Sequence, residues 1–232
     1  MTYALPLPEH VEKARAPQVC DTHGEYESTL LALPESRAPI ELREFWTNCP
    51  VCNVIFQEEE DKRIREASDM SERRAAARRA AGIPPRFAEA TLGSWQHAMP
   101  RQAAVWSWVY NYCTGFVAAK NVGRCVTMLG PAGVGKTHLA IGMLVHVLEH
   151  GGSGFYTTVM EMLSEIKDTY NKNATTTESQ VIERLVGVDL LVVDEVGKAL
   201  DTAYESAQFF RIMDKRYAQI RPTVLISNLG MR

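Results

Sequence analysis

The chain has 232 residues, a formal charge of −3 and 46% hydrophobic residues, which suits one or two globular domains. Near-neutral charge excludes a global basic field, so any nucleic-acid contact has to come from a local patch. No apolar run nears the ~20 residues of a membrane span, and the amino terminus lacks the basic-then-apolar pattern of a leader. Five cysteines with two close ligand pairs favour reduced thiols and a metal site in the cytoplasm over a disulfide framework.

Residues 1–19 are proline-rich and without period, which predicts a poorly ordered lead-in. Cys20-Asp-Thr-His23 and Cys49-Pro-Val-Cys52 follow. In each pair one tight turn offers two ligands to one ion. Two such turns complete a tetrahedral site of three sulfurs and one imidazole, which suits Zn²⁺. Residues 1–56 therefore read as a zinc-binding module that uses the metal as its core, with Phe45, Trp46 and Tyr26 packed beside it. A closed four-ligand site is structural, and the module reads as a docking element for protein or nucleic acid.

Residues 57–81 are strong helix formers, acidic first and basic later, with alanine at most apolar positions. They predict an exposed linker helix, in which Arg73, Arg74, Arg78 and Arg79 form a solvated face. Gly82-Ile-Pro-Pro-Arg-Phe87 stops it. Residues 82–232 read as an ATPase core. Phe87, Leu92 and Trp95 offer an apolar wall for a nucleotide base. A helix is expected over 100–120, with Ala104, Trp108, Tyr112 and Phe116 facing inward.

Gly130-Pro-Ala-Gly-Val-Gly135-Lys136-Thr137 lies between an apolar run and a helical pattern. Strand, glycine loop and helix together make a phosphate site. The glycines let successive N–H groups of Gly130, Pro131 (which contributes none), Ala132, Gly133, Val134 and Gly135 curl about one anion, and the helix N-terminus adds its positive end. Lys136 reaches the β- and γ-phosphates and Thr137 ligates Mg²⁺.

A strand over 155–159 and helices over 161–170 and 178–185 come next. Asp189-Leu-Leu-Val-Val-Asp194-Glu195 is a strand buried on both faces that ends in two acids. Open α/β sheets place their chemistry at such carboxyl ends. Asp194 is expected to hold Mg²⁺ and Glu195 to deprotonate the attacking water. A helix over 203–220 carries Phe209, Phe210, Ile212 and Met213 inward. The last strand, 223–228, ends in Asn228, placed to touch the γ-phosphate or the water.

Residues 80–232 resemble the AAA+ ATPases of the DnaC/DnaI class, the loaders of the replicative DNA helicase. The resemblance lies in Gly82–Leu92, in Gly130–Thr137 with His138-Leu-Ala140, in Leu190–Glu195 and in Arg221–Asn228. The zinc module is similar to the amino-terminal zinc domain of DnaI-like and phage DnaC-like members. The resemblance implies an α/β fold, an AAA+ P-loop ATPase with a parallel sheet flanked by helices, preceded by the zinc module. It implies ATP contact through residues 130–137, His138 and Phe87. It further implies a DnaB-type helicase as partner, self-assembly into an open spiral on that helicase, and single-stranded DNA held by Tyr170, Lys172, Thr202 and Tyr204, with no membrane. The family carries a further strand, an arginine finger and a second sensor after the Ser-Asn strand. The chain stops at Arg232, and the expectation is that the protein continues.

Two alternatives use the same residues. A transposition-helper ATPase on duplex DNA looks similar from Gly130 to Asn228, although the zinc module counts against it. A non-catalytic, nucleotide-dependent adaptor is opposed by the intact Lys136, Asp194 and Glu195.

Overall fold

The computed structural model describes residues 11–32, 44–96, 100–197 and 202–228. The expected lead-in over residues 1–10, the terminus at Arg232 and the side chain of Phe45 lie outside them. The chain divides into two compact units, Met1–Ser71 and Glu72–Arg232.

In the first unit β1 (Val11–Cys20) and β2 (Gly24–Ala32) form an antiparallel hairpin, and β3 (Glu44–Trp46) pairs with β2. Residues 11–19 are therefore strand and not lead-in. Pro17 disguised them, yet β1 is an edge strand, where a proline is tolerated. Thr47 ties the end of β3 to β2. Its N–H bonds the Thr29 carbonyl at 2.9 Å, and its own carbonyl accepts the buried Ser28 hydroxyl at 2.7 Å. Helix α1 (Pro50–Ala80) starts at Pro50, ahead of the expected linker, and none of its 31 residues is buried. Proline suits a first helical position, since its missing N–H would have no intrahelical partner there. Arg78 departs from the solvated face. It is half-buried, donates to the Ala88 carbonyl and pairs with Glu149 at 3.5 Å.

The second unit holds a parallel sheet ordered β4-β7-β6-β5, from β4 (Val126–Leu129), β5 (Gly154–Thr158), β6 (Leu190–Asp194) and β7 (Thr223–Ser227). Every residue of β6 is buried, as its unbroken apolar run requires of a strand covered on both faces. Val126, Tyr156, Leu190, Val192, Val224 and Ile226 pack on one side with α4 (Lys136–Glu149), which is buried from Leu139 to Val145. Leu191 and Val193 pack on the other with α5 (Val159–Asp168), α6 (Glu178–Gly187) and α7 (Ala203–Ala218). Thr158, Thr177 and Thr202 each close a reciprocal capping box at the start of these three helices.

The expected 100–120 helix is two, α2 (Pro100–Thr114) and α3 (Phe116–Asn121), parted at Gly115. Its inward stripe is also corrected. Val109, Tyr112 and Cys113 are buried, while Ala104 and Trp108 are exposed. A strict four-residue step advances about 40° past a full turn each time, so the series begins off the core face at Ala104 and reaches it only at Tyr112. In α7 Phe209 and Ile212 are buried, Met213 is half-buried, and Phe210 is 58% exposed, against expectation.

The last inward place on α7 belongs to Arg216, 1% exposed. Its guanidinium donates to the Leu185, Val186, Val188 and Pro222 carbonyls and to the Thr223 hydroxyl. It thus satisfies the carbonyls left open at the end of α6. Burial holds its pKa down to about 10. Arg216→Met should cost about 3 kcal/mol in urea unfolding, because it leaves buried carbonyls unpaired. A loss below about 1 kcal/mol would contradict this role.

Candidate nucleotide site and metal centre

The phosphate loop joins β4 to α4. Gly133 and Gly135 take φ of +83° and +88°, the left-handed region that glycine enters without steric cost. A Cβ on Gly135 would lie 2.5 Å from the Trp95 indole nitrogen, so the position needs glycine for space as well. Lys136 Nζ donates at 2.8 Å to each of three oxygens, the Gly130 and Pro131 carbonyls and Asn228 Oδ1. All three are neutral. A cation held only by dipoles, at the mouth of a left-handed glycine turn and a helix N-terminus, fits an anionic phosphate.

Beneath the loop Thr137 Oγ1 donates to Asp194 Oδ2 at 2.6 Å. The Glu195 N–H donates to Asp194 Oδ1 at 2.6 Å, and the Tyr156 hydroxyl to Oδ2 at 3.2 Å. Asp194 is buried, 7% exposed, and a buried carboxylate needs such donors. The hydroxyl and carboxylate oxygens present the hard donor set that Mg²⁺ prefers. Glu195 sits at φ +60°, a left-handed conformation that costs a non-glycine residue about 1–2 kcal/mol. The turn after it is pinned to β7, where Val196 N–H bonds the Ile226 carbonyl at 2.9 Å and the Ser227 hydroxyl bonds the Val196 carbonyl at 2.7 Å. This clamp holds the second acid at the sheet's carboxyl end in a conformation it would not choose alone.

Pro131, Ala132 and Val134 are exposed on the loop. His138 Nε2 meets Ser94 Oγ at 3.0 Å. Phe87 is half-buried against the core, with the Arg86 guanidinium 5.8 Å from its ring centre. Leu92 is in the core. Trp95 lines a groove of about 470 Å³ with Val134, Gly135, Lys136 and Leu139, beside β4, and Phe87 does not line it. Sequence reasoning missed Tyr156 and Ser94. A tyrosine inside an apolar strand, on the same pleat face as the terminal acid of its neighbour, was the signal for the first. Nothing in the sequence marked Ser94.

Of the four residues that the resemblance links to DNA, Tyr170 and Tyr204 are brought together, hydroxyl to hydroxyl at 3.1 Å. Tyr170 also donates to Glu178 Oε2 at 2.5 Å. Both rings are exposed, at 57% and 39%. Thr202 caps α7 and Lys172 is exposed beyond α5.

In the first unit Cys20, His23, Cys49 and Cys52 converge, with their ligand atoms all within 4.8 Å of one another. His23 Nδ1 lies 3.7 Å from Cys20 Sγ, 3.7 Å from Cys49 Sγ and 3.2 Å from Cys52 Sγ, and the Cys20 and Cys52 sulfurs are 3.6 Å apart. Tetrahedral Zn²⁺, with bonds of about 2.3 Å to sulfur and 2.0 Å to nitrogen, needs ligand separations of roughly 3.5–3.8 Å. The hairpin turn after β1 supplies Cys20 and His23, and the start of α1 supplies the other two. Backbone N–H groups of Thr22 and His23 lower the Cys20 thiol to about 6, while the hydrogen bond to Cys20 raises Cys52 to about 11. Sulfurs this close do not ionise together without a cation to hold them. Cys52→Ser should abolish one equivalent of bound metal per chain, read by elemental analysis of purified protein, and release the hairpin to proteolysis. Full metal retention would contradict the four-ligand site.

No helix of the described residues is long and apolar enough to cross a membrane. A protein-family model described as IstB-like ATP binding protein matches residues 66–232. The chain is 37% identical over 103 residues to the replicative helicase loader DnaC of Buchnera aphidicola (subsp. Baizongia pistaciae), covering 44% of this chain and 42% of that one. It is 38% identical over 102 residues to DnaC of Escherichia coli K12, covering 44% and 41%. The match thus spans about two fifths of the length of these curated relatives. The fold is similar to a crystal structure of the DnaC helicase loader, with a TM-score of 0.57 at 19% identity over 64% of this chain and 82% of that one. It is also similar to one of DnaI, with a TM-score of 0.51 at 20% identity over 63% and 73%. The chain belongs to the family of IstB-like ATP binding proteins.

Proposed function

We propose that the protein is a cytoplasmic, ATP-dependent loader that places a DnaB-type replicative helicase on single-stranded DNA. The observation that carries the nucleotide half of this reading is the pair of contacts at the sheet's carboxyl end, Lys136 to Asn228 and Thr137 to Asp194. The helicase loaders among its relatives direct the reading toward replication.

In this account the loop N–H groups and Lys136 bind the phosphates of ATP, with His138 and Phe87 completing the ATP site. Thr137 and Asp194 hold Mg²⁺, which when bound offsets phosphate charge. Glu195 takes the proton of the attacking water, and Asn228 orients that water or the γ-phosphate. To reach the phosphates Lys136 leaves the Gly130 and Pro131 carbonyls and loosens its hold on Asn228, so nucleotide binding rearranges the loop against β7. Residues 1–56 form a module held by Zn²⁺ that docks on the helicase. Residues 57–81 act as a helical linker, and residues 82–232 assemble into an open spiral. Tyr170, Lys172, Thr202 and Tyr204 face the single strand, where a tyrosine stacks on any base.

The family description favours one second reading, a transposition-helper ATPase on duplex DNA. A loading assay separates the two. The host helicase, added to a forked DNA coated with single-strand-binding protein, should unwind it only with this protein and ATP. Lys136→Ala should abolish both nucleotide binding and loading. Glu195→Gln should keep binding and slow single-strand-stimulated hydrolysis by about 100-fold or more. Filaments on duplex DNA, with no effect on the helicase, would contradict the loader reading and support the second.

A further inference from the structure

Tyr156 is the one polar side chain on the α4-facing side of β5 and β6 that reaches the acid at the end of β6. The strands pair Tyr156 with Val192 and Thr158 with Asp194, so Tyr156 and Asp194 lie on the same pleat face, one step apart along the sheet. Its ring sits among the apolar residues of that face, 5% exposed. An aliphatic side chain would fill this place without bringing a hydroxyl into the core, whose burial costs about 1–3 kcal/mol unless it is hydrogen-bonded.

The backbone fixes where that hydroxyl points. On one side Tyr156 is laddered to β6. On the other, its N–H donates to the Ala81 carbonyl at 2.8 Å. The chain passes this close because Gly82 takes φ +73°, and a Cβ there would lie 2.4 Å from the Tyr156 carbonyl oxygen. Tyr156 is thus gripped from both edges, independently of Asp194.

Asp194 receives its donors from three directions: Thr137 from α4, the Glu195 N–H from its own chain, and Tyr156 from the neighbouring strand. Thr137 and Glu195 both have other work at the site. Among the described residues the Tyr156 hydroxyl reaches the site through its bond to Asp194. Burial, and then the charge of Asp194, push its pKa up, so it remains a donor.

We infer that Tyr156 is a positioning residue for Asp194, whose buried hydroxyl locks the carboxylate in the orientation that metal-bound nucleotide requires. The inference rests on the nucleotide-site reading proposed above. Removing a hydrogen-bond partner of a metal-binding carboxylate typically weakens metal affinity by about 10–100-fold.

The test is Tyr156→Phe, which keeps the ring and removes only the hydroxyl. Binding of a fluorescent ATP analogue is titrated with Mg²⁺, and separately in EDTA, with thermal unfolding followed in parallel. The expected result is about a tenfold rise in the Mg²⁺ concentration for half-maximal binding, with metal-free affinity unchanged and the melting temperature lowered by a few degrees at most. An unchanged or lower Mg²⁺ requirement would overturn the inference. So would an equal loss with and without metal, which would mark a purely structural residue. Wild-type protein that binds no nucleotide in either condition would instead overturn the site reading on which the inference rests.

Discussion

The hydrogen bond from Thr137 to Asp194 joins the two halves of the candidate nucleotide site. Thr137 opens a helix that is buried along most of its length, and Asp194 ends a strand buried at every position. Neither element can shift without breaking core packing, so the hydroxyl and carboxylate are brought together by the same burial that stabilises the unit. The left-handed glycines, Lys136 held by three neutral oxygens and the strained Glu195 are gathered around this junction. It is a preorganised oxygen pair, held before any ligand arrives, and preorganisation is the main contribution a protein makes to phosphoryl transfer.

The first unit solves a different problem. Its described strands bury little, and no residue of α1 up to Ser71 is buried. Three thiols and an imidazole converge there, a donor set through which a bound metal ion would crosslink elements whose described residues bury little. The hairpin turn and the first turn of α1 are rigid local geometries. Each presents two ligands, and Thr47, bonded to β2, sets the spacing between them.

Much of the site was legible in the sequence because its signals are local. A glycine loop between a strand and a helix, an apolar run ending in two acids, and paired ligands two residues apart each encode their own geometry. The strand order sets β7 beside β4, and Asn228 Oδ1 at its end accepts from Lys136, a contact the sequence did not signal. What escaped was non-local or depended on phase. Residues 11–19 formed a strand because β2 was available to pair with them. The inward faces of α2 and α7 were misjudged at Trp108 and Phe210, where an error of one residue turns a side chain by about 100°. Nothing in the sequence marked Arg216 as buried, since only the fold brings the carbonyls of α6 and the β7 entry around it. Tyr156 looked like any strand aromatic until its register with Asp194 was known.

The central claim is the proposal that the protein engages a replicative helicase in an ATP-dependent way. Native mass spectrometry of the protein mixed with its host's replicative helicase, with and without ATP and Mg²⁺, tests it most directly. The account predicts a defined complex that forms with nucleotide and is altered when nucleotide is withheld. Absence of any complex in both conditions, from protein shown to bind ATP, would contradict it.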